Sequence, residues 1–236
     1  MGLPKIDIPT FTTKLPSTDQ AVVFRPFLVK EEKILLIAQQ GEDSKEQISA
    51  VKQIINNCVQ SEINLETMPI FDLEWLFLQL RIKSVSDKVT LKFRHTKTTE
   101  CNHVYEYELD LNEVKMKFSD DHNKEVKITD SISVFLKYPN IETATLDFNP
   151  NDLDSIIEFI TSGIEFIKDG ETYHETKDYK PEEVREFLEQ LSQEQMLNIQ
   201  KFYETQPSLS HTIAYTCPKC GVEEEATLRS LQDFLG

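Results

Sequence analysis

Two of the four cysteines, Cys217 and Cys220, stand in a Cys-Pro-Lys-Cys-Gly turn within "HTIAYTCPKCGVEEEATL" (211–228), between two short runs of strand-like residues. A Cys-x-x-Cys-Gly turn between strands is the pattern of a zinc knuckle. The tight turn aims two thiolates at one point, and glycine tolerates the positive φ that such a turn needs. One knuckle supplies two ligands, whereas a closed structural site takes four. The segment "LKFRHTKTTECNHVYEYELDL" (91–111) repeats the same order: a strand-like entry, a Cys or His, an interval, a Cys, then an alternating strand of acidic and apolar residues. On that alignment His95 takes the place of Cys217 and Cys101 that of Cys220, with three extra residues between. His95, Cys101, Cys217 and Cys220 then form a Cys₃His set for one structural zinc. His103 is the substitute if the enlarged turn points differently.

Two other readings of the turn stay open. A redox dithiol needs Cys217 at a helix amino terminus after a parallel strand, where the dipole lowers its pKa. Here Val222, Glu223, Glu224 and Glu225 follow, and three carboxylates disfavour a thiolate. The turn can also be a structural relic held by the fold alone. Cys58 falls on the apolar face of a helix and reads as a small buried hydrophobe. His103 and His122 read as exposed strand and turn residues. The chain has no phosphate-cradling glycine loop, no Gly-x-Ser-x-Gly elbow and no His-Glu-x-x-His, so catalysis finds no foothold and the expected role is non-enzymatic.

The elements that must position these residues follow from period and punctuation. Residues 1–20, rich in Pro and Thr, read as an extended arm, and "AVVFRPFLV" (21–29) as a short edge strand interrupted by Pro26. Helices are expected from Leu28 to a stop at Gly41, and again from a cap at Asp43 or Ser44. The second carries Ile48, Val51, Ile54, Ile55 and Cys58 at three- and four-residue spacing. "MPIFDLEWLFLQLRIKSV" (68–85) is apolar over more than half its circumference, the mark of a helix at the centre of a domain or one facing a partner. The stretches 89–93, 103–111, 114–118 and 125–128 alternate as one small antiparallel sheet. Asn151 or Asp152 caps a helix expected to run from Leu153 through Ile167 to Gly170. After a polar link at 171–180, Pro181 opens one more helix and Ser192 caps another, closed by Pro207. The fold class is α+β. Its parts are the arm, a helical and small-sheet domain over 21–140, and an acidic helical domain over 141–236 that ends in the cysteine hairpin.

The 236-residue chain carries a net charge of −16, and the acid is concentrated at one end. Residues 140–236 hold 20 Asp and Glu against 7 Lys and Arg. Nucleic-acid binding relies on cations that displace phosphate counterions, so this surface argues against DNA or RNA as a ligand. No window approaches the ~18 apolar residues of a spanning helix, and the first twenty residues lack an apolar signal core, so neither a membrane nor export is expected.

One segment resembles a known family. "VVFRPFLVKEEKILLIAQQ", "ISAVKQIINNCV" and "PIFDLEWLFLQLRIKSV" are similar to the baseplate hub subunit of T-even-like contractile-tailed phages, often described as a hub assembly protein. The resemblance covers residues 20–140, and the remainder only in its helix-then-hairpin order. It implies a hub component or assembly factor that binds other hub and tail proteins, can form an oligomer within the baseplate, and resides in the virion tail baseplate or in the host cytoplasm during assembly. The arm and the 68–85 helix are the candidate contact regions. A cytosolic phage protein keeps its thiols reduced, so no Cys217–Cys220 disulfide is expected. The alternative function, carried by the knuckle alone, is a zinc-ribbon adaptor in phage transcription or replication. A thiol oxidoreductase is a third.

Overall fold

The structure is a computed structural model that describes residues 6–40, 44–94, 101, 103–229 and 231–234. In chain order it has β1 (Phe11–Lys14), β2 (Ala21–Phe24), α1 (Val29–Gln40), α2 (Ser44–Cys58) and α3 (Ile70–Ser84). Next come β3 (Lys88–Arg94), β4 (Val104–Asp110), β5 (Lys115–Lys117), β6 (Glu125–Lys127) and β7 (Ile132–Leu136). They are followed by α4 (Ile141–Ala144), α5 (Leu153–Gly163), β8 (Ile164–Asp169), β9 (Thr172–Glu175), α6 (Pro181–Glu189) and α7 (Gln193–Thr205). The last strands are β10 (Ser208–Thr216) and β11 (Glu223–Leu228). Helices and antiparallel sheets thus alternate in blocks, and the class is α+β. The Gly41 stop and the Asp43 cap lie outside the described residues.

Two compact units divide the chain, and each is discontinuous. The first comprises Met1–Leu65, Phe71–Lys117 and Ser208–Gly236, the second Glu66–Ile70 and Phe118–Pro207. The boundary expected near residue 140 falls inside the second unit. The carboxyl-terminal hairpin rejoins the first because β10 pairs on one side with β11 and on the other with β5, in the register Ser208↔Lys117 to Ser210↔Lys115.

In the first unit α3 is central. Phe71, Leu73, Leu76, Phe77, Leu78, Leu80 and Ile82 are all buried, which is why its apolar residues run round the helix instead of forming one stripe. It is a core helix, so the expectation that 68–85 offers a contact surface is corrected. The extended arm expected over 1–20 is corrected from residue 11 onward, whereas residues 6–10 are exposed and in no helix or strand. Residues 11–14 fold back on β2 in a hairpin with Phe11↔Phe24 and Lys14↔Ala21, and Leu15 is buried. Ser17 donates to the buried Asp72 from its backbone N–H at 3.0 Å and also through its hydroxyl, while Trp75 Nε1–H donates to Thr13 Oγ1 at 3.1 Å. The alternation that marks an edge strand in sequence is satisfied within the chain.

The expected single middle sheet separates into three. β3 and β4 form a hairpin of their own, β5 pairs with β10, and β6 joins the four-stranded order β6-β7-β8-β9. Alternation identifies a strand but not its partner. In the second unit one face of this sheet and helices α5, α6 and α7 share a core of Val126, Ile128, Val134, Leu136, Ile157, Ile160, Ile164, Val184, Leu188, Ile199 and Phe202. Asp152 caps α5 by accepting from Ser155 N–H, and Ser192 and Gln195 make a capping box on α7. The helix expected to reach Gly170 ends at Gly163. Residues 164–169 are β8, bonded to β7 and β9, and Gly170 at φ +58° turns the chain into β9 within the stretch expected to be a polar link.

Candidate metal centre

The β10–β11 hairpin closes with the geometry its sequence requires. Cys217 N–H donates to the Val222 carbonyl and Gly221 N–H to the Cys217 carbonyl, both at 2.9 Å. Gly221 sits at φ +71°, a conformation that side chains rarely adopt. Lys219 N–H points at Cys217 Sγ at 3.4 Å. An N–H aimed at sulfur favours the thiolate, and a turn of this kind leaves both sulfurs on the same side. Because the strands are antiparallel and Cys217 is followed directly by a turn and β11, Cys217 does not stand at a helix amino terminus as a redox dithiol requires.

Cys101 comes from the connection between β3 and β4. Its Sγ lies 4.0 Å from Cys217 Sγ, and the sulfurs of Cys101, Cys217 and Cys220 all fall within 4.8 Å of one another. Cys101 and Cys217 are buried, and Cys220 is exposed. A ring stack sets the two hairpins side by side: Tyr215 of β10 stacks on Tyr105 of β4 at 4.9 Å between centroids and on Phe93 of β3 at 6.2 Å. The Tyr215 hydroxyl donates to the buried Glu224 carboxylate across the β10–β11 pair. That bond to an anion, with burial, pushes the Tyr215 hydroxyl up to about 12, so it stays a donor. At Cys220 the Val222 N–H favours the thiolate. Desolvation and the two neighbouring sulfurs outweigh it, and the pKa lies above the ordinary thiol value.

Of the four residues expected as ligands, three converge. His95 lies outside the described residues. His103 is half-buried and is not one of the mutually close ligand atoms among the described residues. Cys58 stands apart as a buried residue of α2, and burial raises its thiol to about 11. His122 is not the exposed turn residue its "SDDHN" context implies. Its ring stacks on Phe202 and Tyr138 at 5.0 and 5.5 Å, with Nδ1 3.0 Å from Thr205 Oγ1 and Nε2 3.0 Å from Tyr138 Oη. Burial first, and Lys124 second, lower its pKa.

Sequence reasoning also passed over the Arg25–Glu31 pair. Glu31 is fully buried at the start of α1, accepts from Leu28 N–H at 2.9 Å, and meets Arg25 Nη2 at 3.0 Å. Arg25 also donates to the Asn57 carbonyl at 2.9 Å, which ties the start of α1 to the end of α2. The available signal was a Glu in the first turn six residues after an Arg, at the position where a capping side chain reaches back.

Fold and site together define an antiparallel α+β protein with a cluster of three thiols between two hairpins. A family model described as "T4 bacteriophage base plate protein" matches residues 8–236. The chain belongs to this family and is a phage baseplate protein, whose place is the tail baseplate among other tail proteins. No curated protein and no solved structure matches it. Among the described residues no helix is long and apolar enough to cross a membrane.

Proposed function

We propose that this protein is a component of the baseplate hub, or a factor that assembles it, and that it works by binding other tail proteins and performs no reaction. The observation that carries the reading is the baseplate family match over residues 8–236, together with the hub-subunit resemblance of residues 20–140. An exposed apolar surface fits a binding role. Val29, Leu36 and Ile37 lie seven and eight residues apart on one side of α1, at 81%, 54% and 61% exposure. With residues 11–14 paired to β2 and α3 buried, this side of α1 is the contact region we assign.

Co-expression with the hub and baseplate proteins of the same genome tests it. A complex that survives gel filtration is expected, and Leu36→Asp with Ile37→Asp should weaken it without unfolding the chain. Failure to associate with any of those proteins, or a stable complex with a polymerase or replication protein in their place, would overturn it.

A further inference from the structure

We propose that Cys101, Cys217 and Cys220 bind one zinc ion, which staples the β3–β4 connection to the β10–β11 turn. The inference goes beyond the binding role and does not depend on which tail proteins the chain meets.

The three sulfurs suit the ion in type and spacing. Around tetrahedral zinc with Zn–S distances of about 2.3 Å, the S···S edges are about 3.8 Å. Cys101 and Cys217 stand at 4.0 Å, and all three sulfurs lie within 4.8 Å. A disulfide needs sulfurs about 2.05 Å apart, and among the described residues no two cysteines are joined by one. Packed apolar cysteines have no need of a third, exposed sulfur turned toward two buried ones, whereas a metal centre at the molecular surface does. The Lys219 N–H at Cys217 Sγ and the Val222 N–H at Cys220 donate to the sulfurs and stabilise the thiolate form that binds a metal.

The hairpins carrying these ligands meet through the Phe93, Tyr105 and Tyr215 rings, so the site is held by packing that needs no metal. Thiolates that converge on a prearranged point select soft or borderline cations over magnesium or calcium. Zinc also requires no redox partner. The fourth position takes a nitrogen or oxygen donor or water. The three sulfurs define the site.

The full-length chain, purified under reducing conditions from zinc-supplemented cells, provides the test. Elemental analysis should find about one zinc per chain. Replacement by cobalt(II) should give near-ultraviolet thiolate-to-cobalt bands with the intensity of three thiolates. Cys101→Ser should reduce those bands by about a third and weaken zinc by more than the roughly 10–100-fold cost of changing a group that only hydrogen-bonds to a ligand. Cys58→Ala should leave both readouts unchanged. If Cys101→Ser fails to fold, the cobalt spectrum of the unaltered chain still counts the thiolates. The proposal is overturned if the unaltered chain takes up neither zinc nor cobalt, if its spectrum reports two thiolates or none, or if it is isolated with iron and inorganic sulfide.

Discussion

Cys101 and Cys217 are 116 residues apart in the chain, yet their sulfurs lie 4.0 Å from each other where Tyr215, on the strand that leads into Cys217, stacks on Phe93 and Tyr105 of the two strands that flank Cys101. Tyr215 therefore has two separable roles, a ring that joins the hairpins and a hydroxyl that binds Glu224. Tyr215→Phe keeps the ring and removes one donor from a buried carboxylate, with an expected cost of about 1–2 kcal/mol. Tyr215→Ala removes the ring as well and should cost about 3–5 kcal/mol, the range for a large aromatic residue truncated in a core. Urea unfolding of the two variants checks the order. Equal losses would show that the stack contributes nothing beyond the hydrogen bond.

The Arg25–Glu31 pair predicts a mutational and a pH effect. Truncating Arg25 to Met leaves Glu31 buried with less compensation, and breaking a buried pair in this way costs about 3 kcal/mol. Burial opposes ionisation of Glu31, but the bonds from Arg25, Leu28 N–H and Lys30 prevail and hold its pKa below the ordinary carboxylate value. A depressed carboxylate contributes stability that is present above the unfolded pKa of about 4.5 and is lost as pH falls through the lower folded value. Arg25→Met should accordingly be most damaging near pH 7 and less so below pH ~4. Denaturant titrations at the two pH values measure this difference, and a pH-independent loss would contradict the electrostatic account.

Which of these features could be read from the residues depended on the range of the interaction. Caps at Asp152 and Ser192, the Pro181 helix start and the apolar run of α3 are local, and each stands where its residues indicate. Partner choice between strands was not legible. "VKMKF" alternates as well as its neighbours, but its mate is β10, some ninety residues on. The error at 164–170 arises because Ile164, Phe166 and Ile167 fit the helical period of α5 and a strand equally well, and pairing with β7 and β9, which the local pattern does not encode, decides between them. The turn and its imperfect copy marked Cys101, Cys217 and Cys220, the three thiols that lie together. The ring stack that brings the copies together left no mark in sequence beyond three aromatic residues.

Glu74 of α3 is a carboxylate whose burial raises its pKa to about 7, although Leu231 N–H donates to it at 3.4 Å. A raised carboxyl contributes fully below its unfolded pKa of about 4.5, and that contribution is lost as pH rises through 7. Wild-type protein should therefore lose stability between about pH 5 and pH 8 at this position. Glu74→Gln keeps an acceptor for Leu231 and removes the charge. Since the side chain retains some solvent access, the variant should gain about 1–2 kcal/mol at pH 8 and almost nothing at pH 5. Thermal unfolding across that pH range is the measurement, and a variant less stable than wild type at pH 8 would refute the assignment.

Gly163 and Tyr203 are matched in the second unit. A Cβ at Gly163 would lie 2.1 Å from Tyr203 Oη and 3.3 Å from Cζ, so the hydroxyl occupies the space that any larger residue needs. That hydroxyl is buried without a hydrogen-bond partner among the described residues, and burial raises its pKa well above the ordinary phenol value. Gly163→Ala alone should destabilise by about 1–3 kcal/mol, as overpacking does. Tyr203→Phe alone discards an unsatisfied polar group and should be neutral or stabilising by up to about 1 kcal/mol. In the double variant the close contact is with ring carbon, which a small shift relieves, so most of the Gly163→Ala loss should be recovered. The coupling read from this cycle is expected at about 1–2 kcal/mol. An additive pair would mean that Gly163 is required by the backbone where α5 gives way to β8, not by the tyrosine packed against it.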